Sequence, residues 1–132
     1  MKLFKDTELK EKMLSSENVY NGQLLHVYKD TVELPNGTES GREYIKHVGA
    51  VCVVALDDSG NVVVERQYRY PVGSIVTEIP AGKLDGKGED PLLAVKRELL
   101  EETGITADEY RYLGPFYPSC AYSDEIIHMY LA

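Results

Sequence analysis

The sequence predicts an α+β fold, a mixed or antiparallel sheet packed with one helix. Three observations lead there. Short apolar stretches separated by turn residues recur along the chain, and the stretch after Asp90 carries helical periodicity. The order, several strands, then the helix, then further strands, departs from regular βαβ winding. At 132 residues and 43% hydrophobic content the chain is one globular domain's worth, long enough for a real core.

Residues 1–17 carry charges every few positions and read as a polar, partly helical lead-in without the apolar region of a signal peptide. The stretch GQLLHVYKDTVELPNGTESGREYIKHVG alternates around Asn36-Gly37, a strong hairpin signal. AVCVVAL suits a buried strand, and DDSGN turns it toward VVVERQYRY, predicting a second hairpin. SIVTEIPAG reads as a strand entering the glycine-rich GKLDGKG loop. Asp90 is then a candidate N-cap, Pro91 suits the first helical position and Gly104 supplies a stop. EYRYLGPFYPS and EIIHMYLA close the pattern as two further strands.

Within the helix, Glu98, Glu101 and Glu102 fall on one face at i, i+3, i+4 spacing, where like charges repel. Leu92, Val95 and Leu99, with Leu93 and Leu100 beside them, fall on the opposite, packing face. Such a carboxylate face is either a solvated surface or a seat for hard cations, which prefer oxygen ligands and would relieve the repulsion. The formal charge of −8 disfavours a nucleic acid or anionic membrane as partner, yet admits a small anionic substrate bridged by metal. Cys52 reads as a core residue. Cys120 stands without a catalytic signature nearby, and cytoplasmic is the default location. His26, His47 and His128 lack partners at ligand spacing and read as packing or surface residues.

The segment GKLDGKGEDPLLAVKRELLEETGI resembles the Nudix box, a glycine, five residues, a glutamate, seven residues, then Arg-Glu-hydrophobic-x-Glu-Glu-x-Gly-hydrophobic. From Glu89 to Ile105 every fixed position matches, while six residues instead of five separate Gly82 from Glu89. REYIKHVGAV, VVERQYRYPVG, EIPAGKLD and YPSCAYSDEIIHMYLA extend the resemblance to the ADP-ribose pyrophosphatase branch. The resemblance implies the Nudix fold. It divides the chain into residues 1–47, a helical lead-in and hairpin serving dimerisation, and residues 48–132, a hydrolase domain expected to lack its C-terminal end, where relatives carry a catalytic glutamate and a closing helix.

The activity implied is Mg2+-dependent hydrolysis of a nucleoside diphosphate sugar, ADP-ribose first, to AMP and ribose 5-phosphate, by a homodimer; Mn2+ is an alternative cation. By position, Glu98, Glu101 and Glu102 would be metal ligands, joined by the Ala81 carbonyl and supported by Glu89. Arg97 would hold the loop and the glutamates in place. Arg69 would reach substrate phosphate or ribose, Arg42 would do so from a neighbouring subunit, and Glu78 would contact substrate. Two further readings compete: a non-catalytic or truncated nucleotide-binding module, and a pyrophosphatase that sanitises nucleoside triphosphates. Cys120-Ala121 replaces a Pro-Gly pair found in many relatives.

Overall fold

The computed structural model describes residues 5–132, so the first four residues of the expected lead-in lie outside the described residues. The chain divides into two compact units. One runs up to His47 and takes in Ser119–Asp124; the other holds Val48–Pro118 and Glu125–Ala132.

The first unit is a three-stranded antiparallel sheet, β1 (Lys12–Asn21), β2 (His26–Glu33) and β3 (Glu39–Lys46), in that order. The expected hairpin is β2–β3. Its turn uses Gly37 at φ 83°, a left-handed conformation that suits glycine, and the Asn36 side chain accepts from the Thr38 backbone N–H at 3.1 Å. The lead-in, however, is helical only as a single 3-10 turn at Asp6–Glu8; Lys12 onward is strand. β1 is exposed along its whole length, so it shows no apolar alternation and is held by backbone pairing to β2 from Lys12↔Glu33 to Asn21↔His26. Ser119–Asp124 lies along β3: Ile45 N–H donates to Tyr122 O at 2.9 Å, and Asp124 N–H donates to Ile45 O at 3.1 Å. Inside this unit Asp30 is buried, and one of its carboxylate oxygens accepts from the Tyr44 hydroxyl at 3.0 Å.

The second unit is built on a four-stranded mixed sheet. β4 (Ala50–Val54) runs antiparallel to β7 (Ala81–Lys83) and parallel to β9 (Ile127–Leu131), which pairs in turn with β8 (Arg111–Phe116). The second hairpin differs from the expected one: β5 (Glu65–Arg69) pairs with β6 (Ser74–Glu78), while only a Leu56↔Val62 bridge closes the DDSGN turn. Burial explains the difference. β4 holds the fully buried Val51 and Val53 and needs a strand on each edge, whereas the ERQYR sequence of β5 is too polar to serve there.

The helix α1 (Pro91–Thr103) forms where its signals lie. Asp90 accepts from the Leu92 N–H at 2.8 Å, and Gly104 leaves the helix at φ 72°. Its Ala94, Val95 and Leu99 join Val51, Val53, Ala55, Leu84 and Tyr130 in one buried cluster, with Leu92 packed against it. Leu93 and Leu100, expected beside that face, are 63% and 49% exposed, because the buried stripe is narrower than five leucine and valine positions. Cys52 is buried and Cys120 exposed. Among the described residues, no helix is long and apolar enough to cross a membrane.

Candidate functional site

The site grows from the junction of β7, the loop that follows it, and α1. Packing Val95 and Leu99 into the core turns the opposite face of α1, with its glutamates, toward β7 and the loop. The backbone at Gly82 then lies directly against the Glu98 carboxylate: a β-carbon built on Gly82 would fall inside that carboxyl group. Glycine is required here by close approach, since its φ is not in the left-handed range. The loop closes on itself, with Asp85 N–H donating to Glu89 Oε2 at 2.6 Å and Glu89 N–H to Gly86 O at 3.1 Å. That turn accommodates the six-residue spacing between Gly82 and Glu89.

Arg97 collects the carboxylates. Its Nη1 donates to Glu98 Oε1 at 2.7 Å and to Glu101 Oε2 at 3.3 Å; its Nη2 donates to Glu89 Oε1 at 3.3 Å and stands 4.0 Å from Asp85 Oδ2. Partial burial lowers the guanidinium's pKa, but the bonds to Glu98 and Glu89 and the surrounding negative charge outweigh it and raise the pKa overall. Glu98 and Glu89 are only 12% and 19% exposed, so Arg97 acts on charges that water reaches poorly.

Glu102 stands apart from this fork and accepts from the Ala81 N–H at 3.0 Å. Burial raises its pKa; the Ala81 hydrogen bond opposes that, and the charges of Glu65 and Glu98 add to it. Arg69 and Glu78 meet across β5–β6 in a two-pronged pair, Nε to Oε1 at 2.8 Å and Nη2 to Oε2 at 2.7 Å. The Arg69 bond lowers the Glu78 pKa, and Glu65 and Glu102 both act on the Arg69 charge. Arg42 belongs to the other unit, where it pairs with Glu11, its Nε donating at 2.9 Å.

Thus Glu89, Glu98 and Glu101 converge on Arg97, Glu102 bonds to the Ala81 N–H, and Arg69 pairs with Glu78. Asp85 and Glu65 were not singled out in the sequence. Asp85 follows β7 in the glycine-rich loop without any periodicity, and Glu65 lies in the VVERQYRYPVG stretch, where only Arg69 was given a role. Two of the histidines have partners of their own: His26 Nδ1 lies 2.6 Å from Asn21 Oδ1, and His128 Nδ1 lies 3.1 Å from the Tyr112 hydroxyl.

Among the described residues, no three His, Cys, Asp or Glu side chains are gathered closely enough to hold a metal ion as they stand. Glu89, Glu98 and Glu101 are instead bonded to Arg97. The donor chemistry nevertheless fits a hard divalent cation, since Asp85, Glu89, Glu98 and Glu101 all offer carboxylate oxygen and their charge exceeds that of Arg97.

Residues 46–132 match the NUDIX domain model, and residues 11–45 match the nucleoside diphosphate sugar hydrolase N-terminal domain. An ADP-ribose pyrophosphatase of Bacillus subtilis (strain 168) is 45% identical over 94% of this chain and 66% of its own length. A methanol dehydrogenase activator of Bacillus methanolicus is 44% identical over 92% of this chain and 65% of its own. A crystal structure of an ADP compounds hydrolase superposes with a TM-score of 0.81 at 25% identity, covering 93% of this chain and 66% of that one. The chain therefore spans about two thirds of the length of these relatives. Nudix hydrolases generally need divalent cations. With the box, the carboxylate-faced helix and the mixed sheet all in place, the chain belongs to the Nudix family.

Proposed function

We propose that this chain carries the hydrolytic core of a nucleoside diphosphate sugar hydrolase, with ADP-ribose as the first substrate, AMP and ribose 5-phosphate as products, and Mg2+ as the cation. The observation that carries the reading is the oxygen-rich junction where the Glu98 carboxylate lies against the bare backbone of Gly82 and Glu102 lies on the Ala81 N–H. Two relatives' names add support, an ADP-ribose pyrophosphatase and an ADP compounds hydrolase, as does the match of residues 11–45.

Glu98 and Glu102, with Glu101 and the Ala81 carbonyl, are the groups that would hold the cation, and Glu89 would support them. When bound, the cation supplies charge neutralisation for the diphosphate and lowers the pKa of water. Arg97 keeps Glu89 and Glu98 in place through its fork, so the face is organised before any ligand arrives. Arg69 offers the N–H donors left over from its bond with Glu78 to phosphate oxygens, and Arg42 reaches substrate from a second subunit. The homodimer is supported by the exposed Met13, Leu14, Val19 and Tyr20 on β1, apolar side chains that a second copy would cover. The cytoplasm is the proposed location.

AMP release from ADP-ribose, measured with Mg2+ beside EDTA and Glu102→Gln controls, tests the reading. Release abolished by both controls supports it; no release above the EDTA background refutes it for this chain. Because a 44% identical relative bears the name of a dehydrogenase activator, the same assay is run on a panel of nucleoside diphosphates and triphosphates. Light scattering at several protein concentrations tests the dimer, which a monomer mass throughout would overturn.

A further inference from the structure

Asp30 lies in the interior of the first unit, 7% exposed, and only one of its carboxylate oxygens has a partner. Oδ2 accepts from the Tyr44 hydroxyl at 3.0 Å, while Oδ1 is buried with no donor on it. Burial first, and then the bond to Asp30, raises the Tyr44 pKa against the opposing charge of Lys46, so the hydroxyl remains a donor at neutral pH. A buried carboxylate is ordinarily paired with a cation. Arg42 and Lys46 share the face of β3 that carries Tyr44, and both are engaged elsewhere. Arg42 stands directly opposite Asp30 in the β2–β3 ladder, yet its Nε and Nη2 go to Glu11, and its Nη1 to Ser40 Oγ and Gly41 O at 3.0 and 2.8 Å. Lys46 Nζ sits 3.8 Å over the Tyr28 ring.

Asp30 and Tyr44, with Val32 and residues 120–124, line a cavity of about 320 Å³, within the size range of small-ligand sites. Tyr44 and Tyr122 give it aromatic walls and Val32 and Ala121 apolar ones. Glu43 and Asp124 add negative charge, and Asp124 Oδ1 accepts from the His47 N–H at 2.6 Å. We propose that this cavity binds a small aliphatic amine, whose ammonium group rests against the Asp30 carboxylate and whose chain packs on the tyrosine rings. The carboxylate calls for a cation, and aromatic faces favour an ammonium further. A guanidinium fork needs both oxygens, and Tyr44 holds one. A metal ion lacks its ligands, since among the described residues no three His, Cys, Asp or Glu side chains could hold one. A carboxyl group turns easily about its last torsion, so Oδ1 reaches the ligand without any shift of the strand. The cavity belongs wholly to the first unit and does not depend on the hydrolytic reading.

Butylammonium and butanol, matched in length and different in charge, are titrated into the isotope-labelled chain and followed by NMR, with Asp30→Asn and Ala121→Leu beside the parent. Ala121 is exposed, so a leucine there narrows the cavity without entering the core, and melting curves verify folding. Butylammonium should shift the amide signals of Asp30, Tyr44 and Tyr122. It should bind roughly tenfold or more tightly than butanol, the effect of one charge-assisted hydrogen bond. Asp30→Asn should bring the two probes level, and Ala121→Leu should weaken both. Equal binding of the two probes by the parent overturns the proposal, as does butylammonium binding that Asp30→Asn leaves unchanged. Silence from both probes overturns it too, water then being what satisfies Asp30. Should Asp30→Asn fail to fold, Ala121→Leu decides, since undiminished butylammonium binding there places the ligand outside this cavity.

Discussion

Replacing Gly82 by alanine adds one methyl group at the most crowded point of the site. The nearest atoms to the new β-carbon are the carboxyl carbon and both oxygens of Glu98, so this side chain must rotate away. Gly82 lies outside the left-handed region, so alanine meets no backbone strain there and contributes about 0.5–1 kcal/mol through its smaller unfolded-state entropy. Against this, Glu98 gives up its 2.7 Å bond from Arg97, a charge-assisted contact at a 12% exposed carboxylate worth about 1.5–3 kcal/mol. The net is a loss of about 1–2 kcal/mol, or roughly 4–8 °C in Tm for a chain of this size. Cation binding should suffer more, because a proposed ligand has left the site; a fall of at least about 10–100-fold is expected, the range for losing even a supporting group. Calorimetric Mn2+ titration and melting curves in EDTA read both effects. Gly86→Ala is the control, since nothing lies within 4 Å of a β-carbon placed there. If Gly82→Ala binds Mn2+ as tightly as Gly86→Ala, Glu98 does not hold the cation from the observed position.

Glu102→Gln should stabilise the cation-free protein at neutral pH while abolishing hydrolysis. Burial raises the Glu102 pKa, so its favourable contribution is complete below the unfolded value of 4.5 and is lost as pH rises through the higher folded value. In EDTA the variant should melt above the parent at pH 7, with the gap closing near pH 4; equal melting at pH 7 would refute the assignment. Arg97→Gln leaves Glu98 and Glu89 without their shared cation and should cost about 2–3 kcal/mol in urea unfolding, less than a fully buried pair because Arg97 is 30% exposed. Mg2+ should narrow that gap, and a loss under about 0.5 kcal/mol, within the range of neutral surface changes, would argue against a central Arg97. Tyr44→Phe removes the donor to buried Asp30, whose other oxygen already lacks a partner, and should cost about 1–3 kcal/mol. Hydrogen exchange of β2 and β3 amides checks it, unchanged protection being the contrary result.

Local signals were the legible part of the sequence. Asp90, Pro91 and Gly104 bound the helix because capping depends on a few adjacent residues, and Asn36-Gly37 turns its hairpin for the same reason. Pairing between distant segments was not legible. Nothing inside AVCVVAL says that its partners are Ala81–Lys83 and Ile127–Leu131 instead of the neighbouring VVVERQYRY. β1 escaped notice because an exposed strand held by backbone bonds leaves no side-chain alternation. At the site, the spacing of Glu98, Glu101 and Glu102 was visible as a helical face. That Arg97 sits among the acids, that Gly82 leaves room for Glu98, and that Glu65 faces Glu78 all depend on side chains meeting across elements.

The parallel pairing of Ala50–Val54 with Ile127–Leu131 also has a bearing on how the protein is made. A ribosome adds about 5–20 residues per second, so β4 waits roughly 4–15 s for the strand that completes its second edge. The sheet of β1, β2 and β3 joins chain neighbours and can form within that interval, as local contacts close fastest. Val51 and Val53 meanwhile have no finished sheet to enter, and the nascent chain carries a short, sticky β-strand. Chaperone dependence during synthesis should therefore trace to β4, and shortening the delay, by a circular permutation that brings β9 nearer to β4, should raise soluble yield without altering the finished protein.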